Sequence, residues 1–310
     1  MGATPRVLVM MATYNGSQYL VEQVRSILAQ QDVEVVLRVC DDRSTDNTYA
    51  LLQELADKDP RMIVSQNQDN VGVAQNFMQM VFEPGGAGFD FYAFADQDDI
   101  WLPNKLSHAI GMLGGAEGPT LYYSDVTNFD QNREWSDLSP YRKIVEHPTT
   151  LLVRGWAAGC TMVFNRELRE VLCLHKPDTF FRIHDVWVHL VARCCGQVVE
   201  DLDHSFIRRR ITGHNVAGEL KDHHTSIAQA ASDLGNLRNE AEHAPSKVAQ
   251  QLEEEFGDGI KAPFGEAVHM LAHYRASTRT RILAAMRFDF WQPTLRGRLT
   301  VRLCFLLGRY

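Results

Sequence analysis

The sequence predicts an α/β fold, a mostly parallel sheet covered by helices, followed by a helical C-terminal region. Three observations carry that expectation. Four β-prone runs alternate with segments of helical apolar spacing over residues 6–101, which implies right-handed βαβ crossovers. Each of the four runs ends in an unusually polar loop. Beyond residue 219 the composition shifts to helix formers, with Pro245, Gly257, Gly259 and Pro263 as breaks.

Residues 6–12 are continuously β-prone, and Thr13-Tyr14-Asn15-Gly16-Ser17 is turn chemistry before a helical spacing of Leu20, Val24, Ile27 and Leu28. Residues 33–40 form a second strand that ends in Asp41-Asp42-Arg43-Ser44-Thr45-Asp46-Asn47-Thr48, and Leu51, Leu52 and Leu55 mark the next helix. A third strand over 62–65, a polar loop over 66–72 and a helical spacing over 73–82 repeat the unit. The fourth strand lies in Phe91-Tyr92-Ala93-Phe94-Ala95-Asp96-Gln97-Asp98-Asp99-Ile100-Trp101, an apolar run that stops in three carboxylates. Such a cluster persists only if solvated or neutralised, and a hard divalent cation takes oxygen ligands. The competing expectation is that Asp98 or Asp99 caps a helix starting near Leu102. Further on, Tyr122-Tyr123-Ser124-Asp125 reads as a strand end and residues 140–150 as a mobile acceptor-side loop. Residues 159–164 read as a strand entering a helix over 166–174, and residues 205–210 as a last strand. Helices are expected over 225–255 and 264–287.

In a parallel sheet ligands sit beyond the carboxyl ends of the strands. Here those ends carry Thr13, Tyr14 and Asn15, then Asp41 and Asp42, then Asn70 and Gly72, then Asp96, Asp98 and Asp99. One such loop is unremarkable, whereas four on one rim make a site. The chain has no G-x-x-x-x-G-K-[ST] loop and no G-x-G-x-x-G after its first strand, which argues against P-loop and dinucleotide redox chemistry. Carboxylates bind a diphosphate only through a bridging cation, so the pattern points to a metal-bridged nucleotide diphosphate. Tyr14 could stack on the base or be a surface aromatic, and Asp41 could accept a hydrogen bond from a pyrimidine imide.

Composition narrows the function class. The 310 residues are 45% hydrophobic and 23% charged, enough for one large domain or two. A formal charge of −8 disfavours a nucleic-acid partner. The six cysteines form no C-x-x-C pair and read as reduced core residues of a cytoplasmic protein, without a zinc site. The early apolar run is too short for a signal-peptide core, and no segment reaches the ~20 apolar residues of a membrane span. His223, His224, His243, His269 and His273 are expected to be surface residues lacking ligand spacing. Leu295, Leu299, Leu303, Leu306 and Leu307, mixed with Arg296, Arg298, Arg302 and Arg309, would make an apolar and basic helix. That helix could lie on an anionic bilayer or pack against the main domain.

Ala12-Thr13-Tyr14-Asn15-Gly16, Asp41 to Thr48, Asn70-x-Gly72-x-x-x-Asn76 and Phe94 to Trp101 resemble, in order, the motifs of family 2 glycosyltransferases. With Gln97-Asp98-Asp99-x-Trp101 they most resemble the rhamnosyltransferase-like branch that builds cell-surface polysaccharide. The resemblance covers roughly residues 6–218 and implies a GT-A fold with a Rossmann-like nucleotide half. On this reading residues 1–218 are the glycosyltransferase domain, and the helical region 219–310 serves the acceptor side, homo-oligomer assembly or a membrane surface. Tyr14 and Asp41 would contact the base, Asp96 the ribose, and Asp98 an Mg²⁺ or Mn²⁺ ion on the diphosphate, with Thr13, Asn15, Asn70 and Gln97 lining the same site. Asp185, in Phe181-Arg182-Ile183-His184-Asp185-Val186-Trp187, falls where the family places its catalytic acid, and would be the general base; its alternative role is a helix N-cap. His184 would orient a group there or simply pack.

One segment departs from the family. Thr212 occupies the place of an expected histidine and leaves His214, two residues on, as the candidate metal or diphosphate ligand. Arg208, Arg209 and Arg210 could supply the missing positive charge, with alternation setting Arg209 on the opposite face; Arg210 is assigned to the nucleotide side. The implied reaction is inverting transfer of a sugar, rhamnose by resemblance, from dTDP-rhamnose or a UDP-hexose to a glycan or lipid-linked acceptor at the inner face of the cell membrane. The Thr212 departure motivates the alternative, a non-catalytic scaffold subunit of an assembly complex. A phosphatase using Asp-x-Asp is disfavoured because its aspartates follow the first strand.

Overall fold

Strand β1 (Arg6–Thr13) buries Val7, Leu8, Val9, Met10 and Met11 completely, because helices cover both faces of the sheet around it. Residues 3–136, 144–177, 180, 183–212, 245–287, 290, 292 and 294–310 are described by this computed structural model. On one face Val7, Val9 and Met11 join Leu20, Val24 and Ile27 of α1 (Ser17–Leu28) and Leu52 of α2 (Thr48–Ala56) in one core. Parallel to β1 run β2 (Glu34–Asp41) on one side and β4 (Phe91–Ala95) on the other, and β3 (Met62–Gln66) extends the sheet beyond β2. Helix α3 (Val73–Phe82) precedes β4 and packs on β1.

The rest of the sheet is mixed. Strand order is β3-β2-β1-β4-β8-β6-β9-β5, with β5 (Ile100–Trp101), β6 (Thr120–Phe129), β8 (Val163–Asn165) and β9 (Gln197–Arg210), while β7 (Glu134–Ser136) pairs with β6. Pairs β4–β8, β8–β6 and β9–β5 are antiparallel, whereas β6–β9 is parallel. The antiparallel β5–β9 pair sets Ile100 opposite Arg208 and so returns the arginine run to the aspartate loop.

Several expected boundaries move. The helix expected near Leu102 is α4 (Lys105–Leu113), with Asn104 at its N-cap, so neither Asp98 nor Asp99 caps it; a two-residue strand intervenes. Residues Gly159–Thr161 form a 3₁₀ turn, and the strand after it is confined to β8, where the Asn165 side chain caps α5 (Arg166–Leu174). Strand β9 begins well before residue 205. Its register jumps from Ser124 opposite Asp201 to Asp125 opposite Ser205, which loops out Leu202, Asp203 and His204 and breaks the alternation. Helix α6 (His184–Cys195) covers this half.

The chain divides into two compact units, Met1–Leu138 with Trp156–Arg210, and Ser139–Gly155 with Ile211–Tyr310. The expected boundary at residue 218 lies outside the described residues, as does the first part of the expected acceptor loop. Within the second unit Pro148–Leu152 is a 3₁₀ turn with Thr149 to Leu152 buried. Helices α7 (Pro245–Phe256) and α8 (Phe264–His273) pack together, as do α9 (Thr278–Met286) and α10 (Leu295–Leu306). The long helix expected over 264–287 is interrupted by a 3₁₀ turn at Tyr274–Ala276 and a capping box at Ser277. His269 and His273 do have ligand spacing: one turn apart on α8, each places a ring nitrogen 2.7 Å from an oxygen of Glu253.

Two glycines predict opposite stability effects. A Cβ on Gly196, between α6 and β9, would stand 2.1 Å from the Pro119 carbonyl oxygen, so Gly196→Ala should destabilise by about 1–3 kcal/mol. Gly111 sits inside α4 with nothing within 4 Å of that position, and Gly111→Ala should stabilise by about 0.5–1 kcal/mol. Urea midpoints check both signs.

Candidate active site

Four loops at the carboxyl ends of β1 to β4 are tied to one another by side chains. Asn15, in the left-handed region at φ 47°, accepts from Thr45 N at 2.8 Å and Asp46 N at 3.3 Å through its Oδ1. Its own N–H donates to Ser44 Oγ at 2.9 Å. Asp42 accepts from Val71 N, Gly72 N and Asn67 Nδ2 at 2.8–2.9 Å, and Asn70 Nδ2 donates to the Asp42 carbonyl at 3.0 Å. Gln97 turns away from the aspartates and brackets the Tyr14 backbone, accepting from its N–H at 3.0 Å and donating to its carbonyl at 3.1 Å. Gly16 permits this: a Cβ there would lie 2.1 Å from Gln97 Oε1.

The predicted rim residues therefore come together, but with different jobs. Asp41 is fully buried and accepts four hydrogen bonds, from Thr13 Oγ1, Ser44 Oγ, Ser44 N and Gln66 Nε2. Its carboxylate and the Thr13 hydroxyl are bonded to each other inside the protein. The Tyr14 ring stays 47% exposed and Asn70 faces solvent, so these remain open to a ligand.

The aspartate loop is electrostatically unfavourable by itself. Burial raises Asp96 above the usual carboxylate range against the pull of Arg209 and the Cys160 thiol. Burial and the neighbouring Asp96 push Asp98 up to about 6, with Arg210 and Arg209 opposing. Burial, Asp96 and Asp98 raise Asp99 well above the usual carboxylate range; its Oδ1 accepts from Arg210 N at 3.2 Å, and its Oδ2 is buried without a partner. Arg210 also donates from Nε to the Asp98 carbonyl at 3.1 Å and pairs with Glu22 at 2.6 Å. Below the loop Lys105 Nζ is buried, unpaired and 3.8 Å over the Trp101 ring, and burial lowers it to about 7.

Asp96, Asp99 and Cys160 each offer a ligand atom within 4.8 Å of the others. Burial and both aspartates hold the Cys160 thiol protonated, so the donors for an ion here are carboxylate oxygens. That hard set, short of positive charge and with an orphaned buried oxygen, fits Mg²⁺ or Mn²⁺. His214 lies outside the described residues.

Asp185 packs against the turn that carries Cys160. It occupies the first turn of α6 after Ile183, the N-cap, where the helix dipole favours a carboxylate, and its Oδ1 accepts from Val186 N at 2.6 Å. The N-cap role is thus taken by another residue. A Cβ on Gly159 would lie 3.2 Å from Asp185 Cβ and 2.8 Å from His184 Nε2, and the next residue is Cys160, beside Asp96 and Asp99. His184 packs: it stacks on Phe77 at 3.9 Å, meets Phe94 edge-on at 4.8 Å, and burial lowers it to about 3, so it stays neutral.

Residues 8–172, more than half of the chain, match the family described as Glycosyl transferase family 2. The chain belongs to that family. It is 37% identical over 105 residues to a dTDP-rhamnosyl transferase, RfbG, of Shigella flexneri, covering 33% of this chain and 36% of that protein. It is 32% identical over 178 residues to an Escherichia coli UDP-Glc:α-D-GlcNAc-diphosphoundecaprenol β-1,3-glucosyltransferase, WfgD, covering 56% of this chain and 67% of that one. The match thus spans about a third of the rhamnosyl transferase's length. Among solved structures, the mannosyltransferase PcManGT from Pyrobaculum calidifontis, in complex with GDP-Man and Mn²⁺, superposes with a TM-score of 0.55 at 16% identity, over 98% of this chain and 86% of that one. That likeness shows the shared GT-A fold. These likenesses place the chain in the glycosyltransferase class.

Arg209, Cys160, Lys105 and Gly159 were not singled out for the aspartate cluster by sequence. Alternation correctly separates Arg209 from Arg208 and Arg210, which both lie over Phe129, yet Arg209 is the arginine whose charge acts first on Asp96. The signal available was a lysine within the apolar Trp101–Leu106 stretch and a cysteine following glycine in an apolar turn.

The Asp98 shift has a definite sign. Its folded pKa, about 6, exceeds the unfolded value near ~3.9, so the folded protein holds extra proton between those values and loses stability as pH rises through them. Above that window the penalty persists. In EDTA, Asp98→Asn should melt higher than the parent at pH 8, with the difference vanishing toward pH 4; an equal or lower midpoint at pH 8 would contradict the repulsion.

Proposed function

We propose that this chain is a metal-dependent inverting glycosyltransferase that moves a sugar from a nucleoside diphosphate donor to a hydroxyl of a glycan or lipid-linked acceptor. The carrying observation is the strained carboxylate loop of Asp96, Asp98 and Asp99 at the rim of four knitted loops. Asp98, with Asp96 beside it, would hold Mg²⁺ or Mn²⁺, which when bound supplies counter-charge for a leaving diphosphate. Support for that ion comes from the charge crowding of Asp96, Asp98 and Asp99, although the side chains now close enough to share an ion are Asp96 and Asp99 rather than Asp98, and from a neighbour of the same fold solved with Mn²⁺. The Tyr14 ring takes the base, Asp41 and Thr13 form the floor beneath it, Asn15, Asn70 and Gln97 fix the rim, and Asp96 faces the ribose. Arg209 and Arg210 add positive charge. Asp185 accepts the proton of the acceptor hydroxyl while its oxygen bonds to the anomeric carbon and the bond to the diphosphate breaks, a single displacement with inversion.

Two relatives support different donors, a dTDP-rhamnosyl and a UDP-Glc enzyme; rhamnose follows the motif likeness to the first. The second is named for a diphosphoundecaprenol-linked acceptor, which supports a lipid-linked acceptor here. Asp185→Asn should lower kcat by about 10²–10⁴-fold while keeping donor affinity. Asp98→Ala should abolish the Mn²⁺-dependent part of donor binding in titration calorimetry. Unchanged turnover in the first, or unchanged metal dependence in the second, removes that residue from its role.

The second unit supports a peripheral contact with an anionic bilayer at the cytoplasmic face. Among the described residues no helix is long and apolar enough to cross a membrane. Leu295, Leu299, Leu303, Leu306 and Leu307 of the α10 segment are 44–70% exposed, and Ile282, Leu283 and Met286 of α9 add a second apolar ridge. Val301, Cys304 and Phe305 on the opposite side of α10 are buried, so the helix serves the fold and leaves a leucine stripe outward. Replacing Leu299 and Leu303 by Gln should release the protein from phosphatidylglycerol liposomes without lowering its melting temperature. Equal sedimentation of the variant, or equal binding to neutral lipid, would refute this contact.

A further inference from the structure

A third set of metal-ligand side chains, besides the aspartate loop and the Glu253, His269 and His273 group, lies among residues that take no part in knitting the four loops. The bulge in β9 folds His204 back onto Asp201, with Nδ1 2.7 Å from Oδ1, although residues three apart on a regular strand would face opposite ways. From α4, His108 brings Nε2 to within 2.8 Å of Asp201 Oδ2. One ligand atom from each residue lies within 4.8 Å of the other two. Tyr122 on β6 donates its hydroxyl to Asp201 Oδ2 at 3.0 Å, and Phe206 lies against the His108 ring at 4.3 Å between centroids. Exposure rises from a buried Asp201 side chain (5%) through His108 (28%) to His204 (58%), so the set has a floor, a wall and an open mouth.

We propose that His108, Asp201 and His204 bind a borderline divalent cation of the Zn²⁺ type, with a remaining position open to water. Two imidazole nitrogens and one carboxylate oxygen are the donors such an ion takes, in contrast to the carboxylate oxygens of the aspartate loop. Metal–ligand bonds of about 2.0–2.1 Å in a tetrahedron place ligand atoms roughly 3.3 Å apart. The present 2.8 and 2.7 Å separations are hydrogen bonds to the two different oxygens of Asp201, so an ion enters as each neutral imidazole passes its N–H proton to the other ring nitrogen, through solvent, and the three side chains re-seat around it. Asp201 and Tyr122 sit on paired strands that hold the carboxylate in place, and the Tyr122 hydroxyl is the outer hydrogen bond that orients it. The competing account is an ion-free network that staples α4 to β9, and the two accounts differ in their response to metal.

The full-length chain carrying Glu253→Gln and His269→Gln, which disarm the exposed histidine set on α7 and α8, is stripped of metal and kept in excess Mg²⁺ to occupy the aspartate loop. Zn²⁺ is titrated against a chromophoric chelator, and Co²⁺ is titrated in parallel by visible absorption. One equivalent should bind, with a tetrahedral-type Co²⁺ band. His204→Ala, at an exposed position, should weaken Zn²⁺ by more than about tenfold and remove the band, and Tyr122→Phe should weaken it by about tenfold. Affinity unchanged in His204→Ala, or no saturable binding in the parent, overturns the site and leaves the hydrogen-bonded staple.

Discussion

Three carboxylates at the end of a buried strand, with too little water to keep them apart, are the constraint to which the surrounding structure answers. Two like charges about 4 Å apart repel by roughly 4 kcal/mol at the effective dielectric of a protein surface. Unrelieved, that is a large fraction of the stability of a domain. Each neighbour of the loop offsets a part of it. Strand β5 pairs with β9 and returns Arg209 and Arg210 to the loop, the Cys160 thiol sits beside Asp96 and Asp99, and Lys105 lies beneath. The relief is incomplete, as Asp98 at about 6 and the orphaned Asp99 oxygen show. Protonation or a cation can supply the rest, and on the proposed reading the cation does, so the deficit of positive charge is what a metal would fill.

The same turn that relieves this repulsion sets the place of Asp185. Gly159 and Cys160 are consecutive: one leaves room for His184 and Asp185, while the other brings its thiol to the aspartates. Any side chain at Gly159 would push α6 or the turn away and move both ends together. His184 fits this arrangement as a neutral spacer in an aromatic cage; a charged imidazole would add an unpaired buried cation between Phe77 and Phe94. Carboxylates from β4 and α6 are therefore positioned by packing, which no single motif encodes.

The first four strands and three helices were legible within one or two residues because burial makes β1, β2 and β4 largely apolar runs and the helices periodic, while β3, largely exposed beyond Met62, is a short β-prone run in the same repeat. The two-residue strand β5 carries no period, so its sequence reads equally as the approach to a helix cap. In β9 the looped-out Leu202 to His204 breaks alternation, which hid the first half of the strand and the pairing of Asp201 with two histidines. Asp41 shows a different limit. A carboxylate at a strand end can face a ligand or a neighbouring loop, and only the four donors around it reveal that the loop has it. Lys105 was invisible because a lysine at the start of an amphipathic helix reads as solvated, whereas here it is buried on the Trp101 face.

How the rim consumes its own polar groups bears on which part of a sugar nucleotide it can read. Asn15, Asp41, Asp42 and Gln97 spend their hydrogen bonds on one another's backbones. What stays open is the Tyr14 ring, the Asn70 side of the crevice and the aspartate loop with its arginines. An aromatic face accepts any base, and a cation held by carboxylates accepts any diphosphate. Neither distinguishes one hexose from another. A rim of this kind suits a family whose members share the motifs while carrying names as different as dTDP-rhamnosyl transferase and UDP-Glc glucosyltransferase. The sugar must then be discriminated by side chains that are not part of the shared rim, where hydrogen bonds to its hydroxyls can be made or left unmade at a cost. On the proposed reading, rigidity in the rim makes that division workable, since it would fix a diphosphate and leave the anomeric carbon in one place for whichever sugar it carries.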